Sequence, residues 1–164
     1  MKGSAYVMQP DVAAVTVWSK LNFMNINCKK SKEMIIGPLC KEPESPLSIT
    51  CECVTVFKLL GIMVNSSLTW DDRIDYITTR AAKRLRFQQK LKRAGLLVDD
   101  LVHYYEVVVR PVLKYACPVW HYSLTEQQTK TVEDVQRRAV RIFAGNIPYS
   151  DACESMRISS LADR

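Results

Sequence analysis

The spacing of apolar residues in the second half of the chain is the feature that most constrains its fold. Between about Asp71 and Ala94, apolar side chains recur every three or four residues, at Ile74, Ile77, Ala81 and Leu85. That spacing places them along one stripe of an α-helix. Asp71, Asp72 and Asp75 favour the start of this helix, Thr69 or Asp71 can cap it, and Gly95 is suited to ending it. The sequence therefore predicts a helix with one buried face.

Two more helices are expected after Gly95. One begins at Val98 and reaches about Tyr122. The next begins at Thr125, where TEQQ resembles a capping box, and ends at Gly145. Its inward residues are expected to be Val132, Val135, Ala139 and Ile142 or Phe143. Short connections favour antiparallel neighbours, so residues 68–147 are predicted to form a three-helix bundle.

The middle helix contains the sequence VVVRPVLKYACPVWH, with prolines at 111 and 118. Proline lacks a backbone N–H and clashes with the preceding turn, so the helix is expected to kink or restart at both positions. We expect Val108, Val112, Tyr115 and Trp120 to pack against the other two helices.

Residues 1–67 have a different pattern. The segment Pro10–Leu21 has helical spacing, and Asp11 can cap it. A short strand is predicted at Met34–Ile36, a proline-containing loop over 38–50, and a strand or hairpin bent at Gly61 over 51–65. The fold class is therefore predicted as α+β: an incomplete α/β segment over 1–67, the helical bundle, and a C-terminal tail over 148–164.

Composition narrows the function classes. The 164 residues carry a net charge of +6, which favours a polyanionic partner. The chain starts without a signal-peptide pattern and has no apolar run long enough for a bilayer, so we expect an intracellular protein, cytoplasmic or nuclear, with no membrane partner. The six cysteines follow no zinc spacing, so free and mostly buried thiols are expected.

The basic run RAAKRLRFQQKLKR, residues 80–93, contains no acid. On a helical wheel its Lys83, Arg86, Lys90 and Arg93 share a face away from the apolar stripe. Such a face can bind nucleic-acid phosphates without sequence preference, and three further arginines could extend it: Arg137, Arg138 and Arg141. The alternative is a solvated face whose cations suit the C-terminal end of the helix dipole.

Other chemical patterns are weaker. The pairs Asp71-Asp72 and Asp99-Asp100 begin helices, which explains them without a metal. Cys117 and His121 are four residues apart, but two ligands do not make a metal site, so we interpret Cys117 as a small buried apolar residue and expect no metal site. The sequence has neither a phosphate-binding glycine loop nor a nucleophile elbow.

Taken in order, several segments resemble non-LTR (LINE-type) retrotransposon reverse transcriptases: DVAAVTVWSKLNFMNINCKKSKEMIIG, VFKLLGIMVNSSLTW, RAAKRL…LKRAG and RPVLKYACPVWH. The resemblance extends to about Asp163. It implies that the three helices are the thumb and the segment just after it, and that Phe57 to Gly61 matches the primer-grip hairpin. It assigns the following residues to the late palm: Trp18, Asn22, Asn27, Lys30, Lys32, Glu33 and Met34.

The family's catalytic aspartates and its (F/Y)xDD motif do not occur in this sequence. In a complete polymerase those carboxylates hold the two Mg²⁺ ions of nucleotidyl transfer. The resemblance therefore implies a non-catalytic C-terminal fragment that needs no cofactor of its own and whose partner is an RNA or DNA backbone, bound weakly and without sequence preference.

Residues 91–121 also resemble the N-terminal domain of AlkB homologue eight, a tRNA-modifying dioxygenase and methyltransferase. This alternative implies a protein that shares a domain with a tRNA-modifying methyltransferase and 2-oxoglutarate-dependent oxidoreductase. The sequence contains neither the iron triad nor a glycine-rich methyl-donor loop, so the chain would carry no catalytic residue of that kind.

Overall fold

The computed structural model describes residues 8–36 and 52–161. It contains helices and short strands, so the predicted α+β class is confirmed. The chain divides into two compact units, Met1–Thr69 and Trp70–Arg164. Each unit is described by itself.

The first unit contains one helix and two strand pairs. The predicted helix is confirmed as α1, Met8–Leu21, but it begins two residues before Pro10, so the predicted cap Asp11 lies within its first turn instead. Strands β1 (Lys32–Glu33) and β2 (Glu52–Cys53) pair in parallel, and β3 (Val56–Leu59) and β4 (Ile62–Asn65) form an antiparallel hairpin. The predicted bend at Gly61 is confirmed, because Gly61 has a φ of 86° between β3 and β4.

Two predictions about these strands have different outcomes. The strand predicted at Met34–Ile36 is wrong, because pairing occurs just before it, where Lys32 faces Glu52 and their side chains form an ion pair. The apolar run alone did not show where a pairing partner would lie. The loop predicted over 38–50 lies outside the described residues.

The second unit begins with α2, Asp71–Arg93, followed by Gly95 at a φ of 88°. The predicted capping of this helix by Thr69 or Asp71 is wrong. Trp70 occupies the N-cap without a side-chain hydrogen bond, and the Thr69 N–H donates to Asn65 Oδ1 at 2.8 Å. Asp71 and Asp72 instead lie in the first turn, where the helix dipole favours them.

The middle helix restarts near Pro118, as predicted, whereas it continues through Pro111 by way of a π-helical turn. It consists of α3 (Val98–Tyr104), a π-helical turn (Tyr105–Val109), α4 (Arg110–Lys114) and α5 (Cys117–Trp120). The π turn ends at Val109, two residues before Pro111, whose ring cannot fit against a regular preceding turn. Ala116, with a φ of 55°, separates α4 from α5 just before Pro118.

Packing of this segment matches the prediction in part. Trp120 is completely buried, and Val112 packs against the core from a half-buried position. Tyr115, also predicted to pack inward, is half exposed. Its backbone carbonyl is used instead, because it accepts hydrogen bonds from Arg73 at 2.8 Å and from the Trp120 indole at 3.0 Å.

Helix α6, Glu126–Ala144, begins with the predicted capping box. The Gln128 N–H donates to Thr125 Oγ1 at 3.2 Å, and the Thr125 N–H donates to Gln128 Oε1 at 3.0 Å. The predicted inward residues Val132, Val135, Ala139 and Phe143 are all buried.

The tail predicted over 148–164 is wrong for its described part. Helix α7 covers Tyr149–Ser155, and Ala152, Ile158 and Leu161 are buried in the same core as α2 and α6. The core therefore contains more than the three predicted helices. The sequence prediction missed this segment because three widely spaced apolar residues give no periodic signal.

All buried apolar side chains of the described residues belong to the second unit, between Ile74 and Leu161. Within the described part of the chain, no helix is both long and apolar enough to cross a membrane. The described cysteines are free, but the expected burial is wrong for Cys28 and Cys53, which are exposed.

Candidate nucleic-acid interface

The four cations predicted on α2 lie on its exposed side. Lys83, Arg86, Lys90 and Arg93 are all exposed, and we call them the α2 cation face. Since an α-helix turns about 100° per residue, they occupy an arc of about 80° on the side opposite the buried stripe. With a rise of about 1.5 Å per residue, the face extends about 15 Å along the helix.

The core fixes the rotation of α2 and thereby the direction of this face. Ile77, Ala81 and Leu85 are fully or almost fully buried, so α2 cannot turn about its axis without exposing them. Gln88, also buried, donates to the Leu101 carbonyl at 3.0 Å. The cations therefore occupy a rigid element.

The predicted cations on α6 are best located relative to Gln128. Its side-chain amide donates to Asp71 Oδ1 at 2.7 Å, so α2 and α6 begin at the same end of the unit and Gln128 marks the flank of α6 that faces α2. Arg138 lies about 80° around the helix from Gln128 and Arg141 about 140°. Both are exposed and lie level with about residues 81–84 of α2. Both arginines therefore point to solvent from α6.

Arg137 is separated from this group. It lies about 180° around α6 from Gln128, on the side away from α2. Its guanidinium is 5.1 Å from the centroid of the Tyr149 ring. Of the seven predicted cations, four share the α2 cation face and two, Arg138 and Arg141, are exposed on α6, whereas Arg137 lies against the Tyr149 ring.

Among the described residues, the four cations of α2 together with Arg138 and Arg141 have no acidic partner. Among the described residues, none of them forms an ion pair with a carboxylate within 4.0 Å. Their charges are consequently available to an anionic ligand.

Two other arginines of the same run have different surroundings. The Arg80 guanidinium donates to the Tyr76 hydroxyl at 2.8 Å, and its central carbon is 5.4 Å from the Tyr76 ring centroid. Arg84 donates to the Val108 carbonyl. The sequence prediction left both arginines out of the site. The contact between Arg80 and Tyr76 could have been predicted, because residues four apart are neighbours on a helix.

The aspartates, the cysteine and the histidine that were weighed as metal ligands lie in helix turns or pack against other side chains. Asp99 and Asp100 lie in the first turn of α3. Cys117 packs against the core, and its neighbour on the same helix turn, His121, lies beside Trp120. Within the described ranges, no group of three or more His, Cys, Asp or Glu side chains could hold a metal ion.

A cluster of hydrogen-bonded polar side chains connects α6 with the middle helix and with α7. The buried Gln136 accepts from the Tyr105 hydroxyl at 2.6 Å and donates to the Tyr149 hydroxyl at 2.9 Å, and Tyr149 donates to Glu133. Burial, followed by the hydrogen bond to Glu133, raises the pKa of Tyr149 well above its ordinary value. Burial also raises the pKa of the Cys153 thiol beside it. The cluster fastens residues 149–161 to the bundle.

Comparison with known proteins gives no relative. No protein-family model, no curated protein and no solved structure matches this chain. The functional conclusion therefore depends on the chain's own residues.

Proposed function

We propose that this protein binds the phosphate backbone of nucleic acids without sequence preference. The observation that carries the proposal is the α2 cation face, whose four cations are exposed and free of ion pairs among the described residues, as are Arg138 and Arg141 on α6. One strand of a duplex carries a phosphate about every 3.4 Å of axis, so a face about 15 Å long can meet about four phosphates.

The helix dipole does not account for the whole face. The dipole favours cations within the last turn, and Lys90 and Arg93 satisfy that condition at the end of α2. Lys83 lies about three turns before the end, where the dipole has little effect. A binding function explains why cations continue along the same side.

The second part of the proposal concerns ancestry. We infer that the chain is a non-catalytic, C-terminal part of a reverse-transcriptase-like protein, in which α2 to α6 correspond to the thumb. The support is the ordered resemblance of residues 11–121, including Lys30, Lys32 and Glu33 in the late palm. With a primed RNA template, nucleotides and Mg²⁺, we expect the purified chain to incorporate no nucleotide. Incorporation would contradict this part.

The backbone-binding proposal is tested by fluorescence anisotropy with a labelled duplex at 50 mM salt. The test variant is Lys83→Gln/Arg86→Gln/Lys90→Gln/Arg93→Gln, and the matched control is Lys114→Gln/Lys130→Gln/Arg137→Gln/Arg157→Gln. Both variants lose four positive charges from exposed positions, so they differ only in where the charge is lost. We expect the test variant to lose at least tenfold in affinity and the control to lose much less. Equal losses would mean that only net charge matters, and no binding by the unaltered chain would refute the proposal.

A further inference from the structure

Phe87 is an exposed aromatic residue in the middle of the basic run. Its side chain is 53% exposed, although it belongs to a helix with a well-defined buried face. Lys83 precedes it by four residues and Lys90 follows it by three, which are the spacings of side-chain neighbours on a helix, with Cβ atoms about 5–6 Å apart. Phe87 therefore has a cation on either side along α2.

The Phe87 ring packs against another aromatic ring. Its nearest aromatic neighbour is Tyr104, with ring centroids 5.8 Å apart and an angle of 42° between the ring planes. Tyr104 is half buried and packs against the core. Phe87 thus stands on a fixed support, and about half of its surface remains open to a ligand.

Arg80 adds a second flat group on the same side of α2. Its guanidinium lies over the Tyr76 ring, at 5.4 Å from the ring centroid to its central carbon, and donates to the Tyr76 hydroxyl. Arg80 is exposed and lies about 10 Å before Phe87 along the helix. We call Arg80, Lys83, Phe87 and Lys90 the stacking stripe. Its members lie within an arc of about 80°.

The alternation of flat and cationic groups distinguishes a single strand from a duplex. In a duplex the faces of the bases are covered by neighbouring bases, so an exposed ring gains nothing from them. In a single strand the bases are free to stack on aromatic rings or on arginine guanidinium planes, while the phosphates meet cations. The stacking stripe offers both kinds of contact on one rigid helix.

We propose that the stacking stripe binds single-stranded nucleic acid, with a base against Phe87 and the adjoining phosphates on Lys83 and Lys90. The proposal rests on the proposed backbone-binding function and adds to it a preference for unpaired bases. Because every base has a flat face, the preference does not depend on sequence.

The decisive ligands are a thymidine 12-mer and an abasic 12-mer, which have the same number of phosphates and differ in the presence of bases. We expect the unaltered chain to bind the thymidine 12-mer at least about fivefold more tightly, since stacking contributes about 1 kcal/mol or more per base. Phe87→Leu should abolish that preference and leave the salt dependence of binding unchanged. Phe87→Trp should retain it, since it keeps a flat ring.

Two controls keep the result interpretable. Tyr122→Leu removes another exposed aromatic side chain, 84% exposed and outside the stripe, and should leave the preference intact. Circular dichroism should show the same helix content for Phe87→Leu as for the unaltered chain, because leucine keeps an apolar contact with Tyr104.

Each alternative outcome has its own signature. Equal, salt-sensitive binding of both 12-mers would overturn the stacking proposal and leave backbone binding intact. No binding of either 12-mer at low salt would overturn the proposed function itself. A third outcome is that both 12-mers bind equally and that the chain associates with itself until Phe87→Leu abolishes the association. This result would show that Phe87 contacts a second copy of the protein, and it would also overturn the stacking proposal.

Discussion

Arg73 lies inside the helical unit although it carries a charge. Only 1% of its surface is exposed, and its guanidinium lies 5.5 Å from the Trp120 ring centroid and 5.8 Å from that of Tyr115. Burial lowers the pKa of Arg73, while the charge–π contacts and the Tyr115 carbonyl offset the loss of water. A basic residue in this sequence therefore contributes either to the core or to the surface, and only the fold shows which.

Tyr149 gives a pH-dependent prediction at the same scale. Tyrosine in an unfolded chain ionises near pH 10, whereas burial and Glu133 raise the pKa of Tyr149 in the folded protein. The neutral hydroxyl therefore stabilises the fold fully below about pH 10, and this contribution is lost as the pH rises above that value. We expect Tyr149→Phe to lower the free energy of unfolding by about 1–3 kcal/mol at pH 7, because Glu133 and Gln136 lose a partner.

The measurement is urea unfolding at pH 7 and at pH 10.5. The difference between the unaltered chain and Tyr149→Phe should shrink at the higher pH, because the phenylalanine variant has no hydroxyl to ionise. Tyr122→Phe is the control, since Tyr122 is exposed and should show no effect at either pH. A difference that stays constant between the two pH values would contradict the assigned role of Tyr149.

At the scale of single elements, the break between α4 and α5 gives a second prediction. Ala116 has a φ of 55°, a left-handed conformation that costs an L-residue about 1–2 kcal/mol and glycine very little. We expect Ala116→Gly to raise the free energy of unfolding by up to about 1 kcal/mol, measured by urea unfolding. Ala81→Gly is the control: Ala81 is buried within α2, and the same substitution there should destabilise the protein by about 1 kcal/mol. Destabilisation by Ala116→Gly would show that the methyl group matters more than the backbone strain.

The elements differ in how well the sequence predicted them. Helices α2 and α6 were predictable because each repeats its buried residues every three or four positions, as Ile77, Ala81 and Leu85 do in α2. The restart near Pro118 was predictable from proline geometry, although the π turn before Pro111 was not. Strand β1 was misplaced because its position depends on the partner strand β2, which is distant in sequence.

The site was predictable to a similar degree. The wheel positions of Lys83, Arg86, Lys90 and Arg93 follow from α2 alone. The separation of Arg137 from Arg138 depends on which flank of α6 faces α2, and a single helix cannot show that. The environment of Phe87 depends on Tyr104, which lies on another helix, so the sequence alone gave no reason to select it.

At the scale of the whole molecule, the apolar core lies in one unit. All buried apolar residues among those described fall between Ile74 and Leu161, within residues 70–164. We therefore expect a fragment containing residues 70–164 to fold without residues 1–69. Thermal unfolding followed by circular dichroism should show one cooperative transition, with a midpoint within a few degrees of the full chain's. A non-cooperative transition would show that the first unit is needed for the core.

Acidic and basic side chains occupy different parts of the helical unit. Asp71 and Asp72 lie in the first turn of α2 and Glu126 in the first turn of α6, whereas the six exposed cations lie towards the other ends of these helices. Because α2 and α6 begin at the same end, the unit has an acidic end and a basic side, an arrangement that orients an approaching polyanion.

The salt dependence of duplex binding tests the central claim most directly. Each phosphate neutralised by a cation releases counterions and contributes about −0.9 to the slope of log K against log salt concentration. If the α2 cation face binds the backbone, each cation removed from it should reduce the steepness of that slope by about one, and Lys83→Gln/Arg86→Gln/Lys90→Gln/Arg93→Gln should reduce it by about four, leaving only the part that other cations such as Arg138 and Arg141 contribute. The matched control at Lys114, Lys130, Arg137 and Arg157 should retain most of the slope. An unchanged slope in the α2 variant would contradict the assignment of this face as the binding surface.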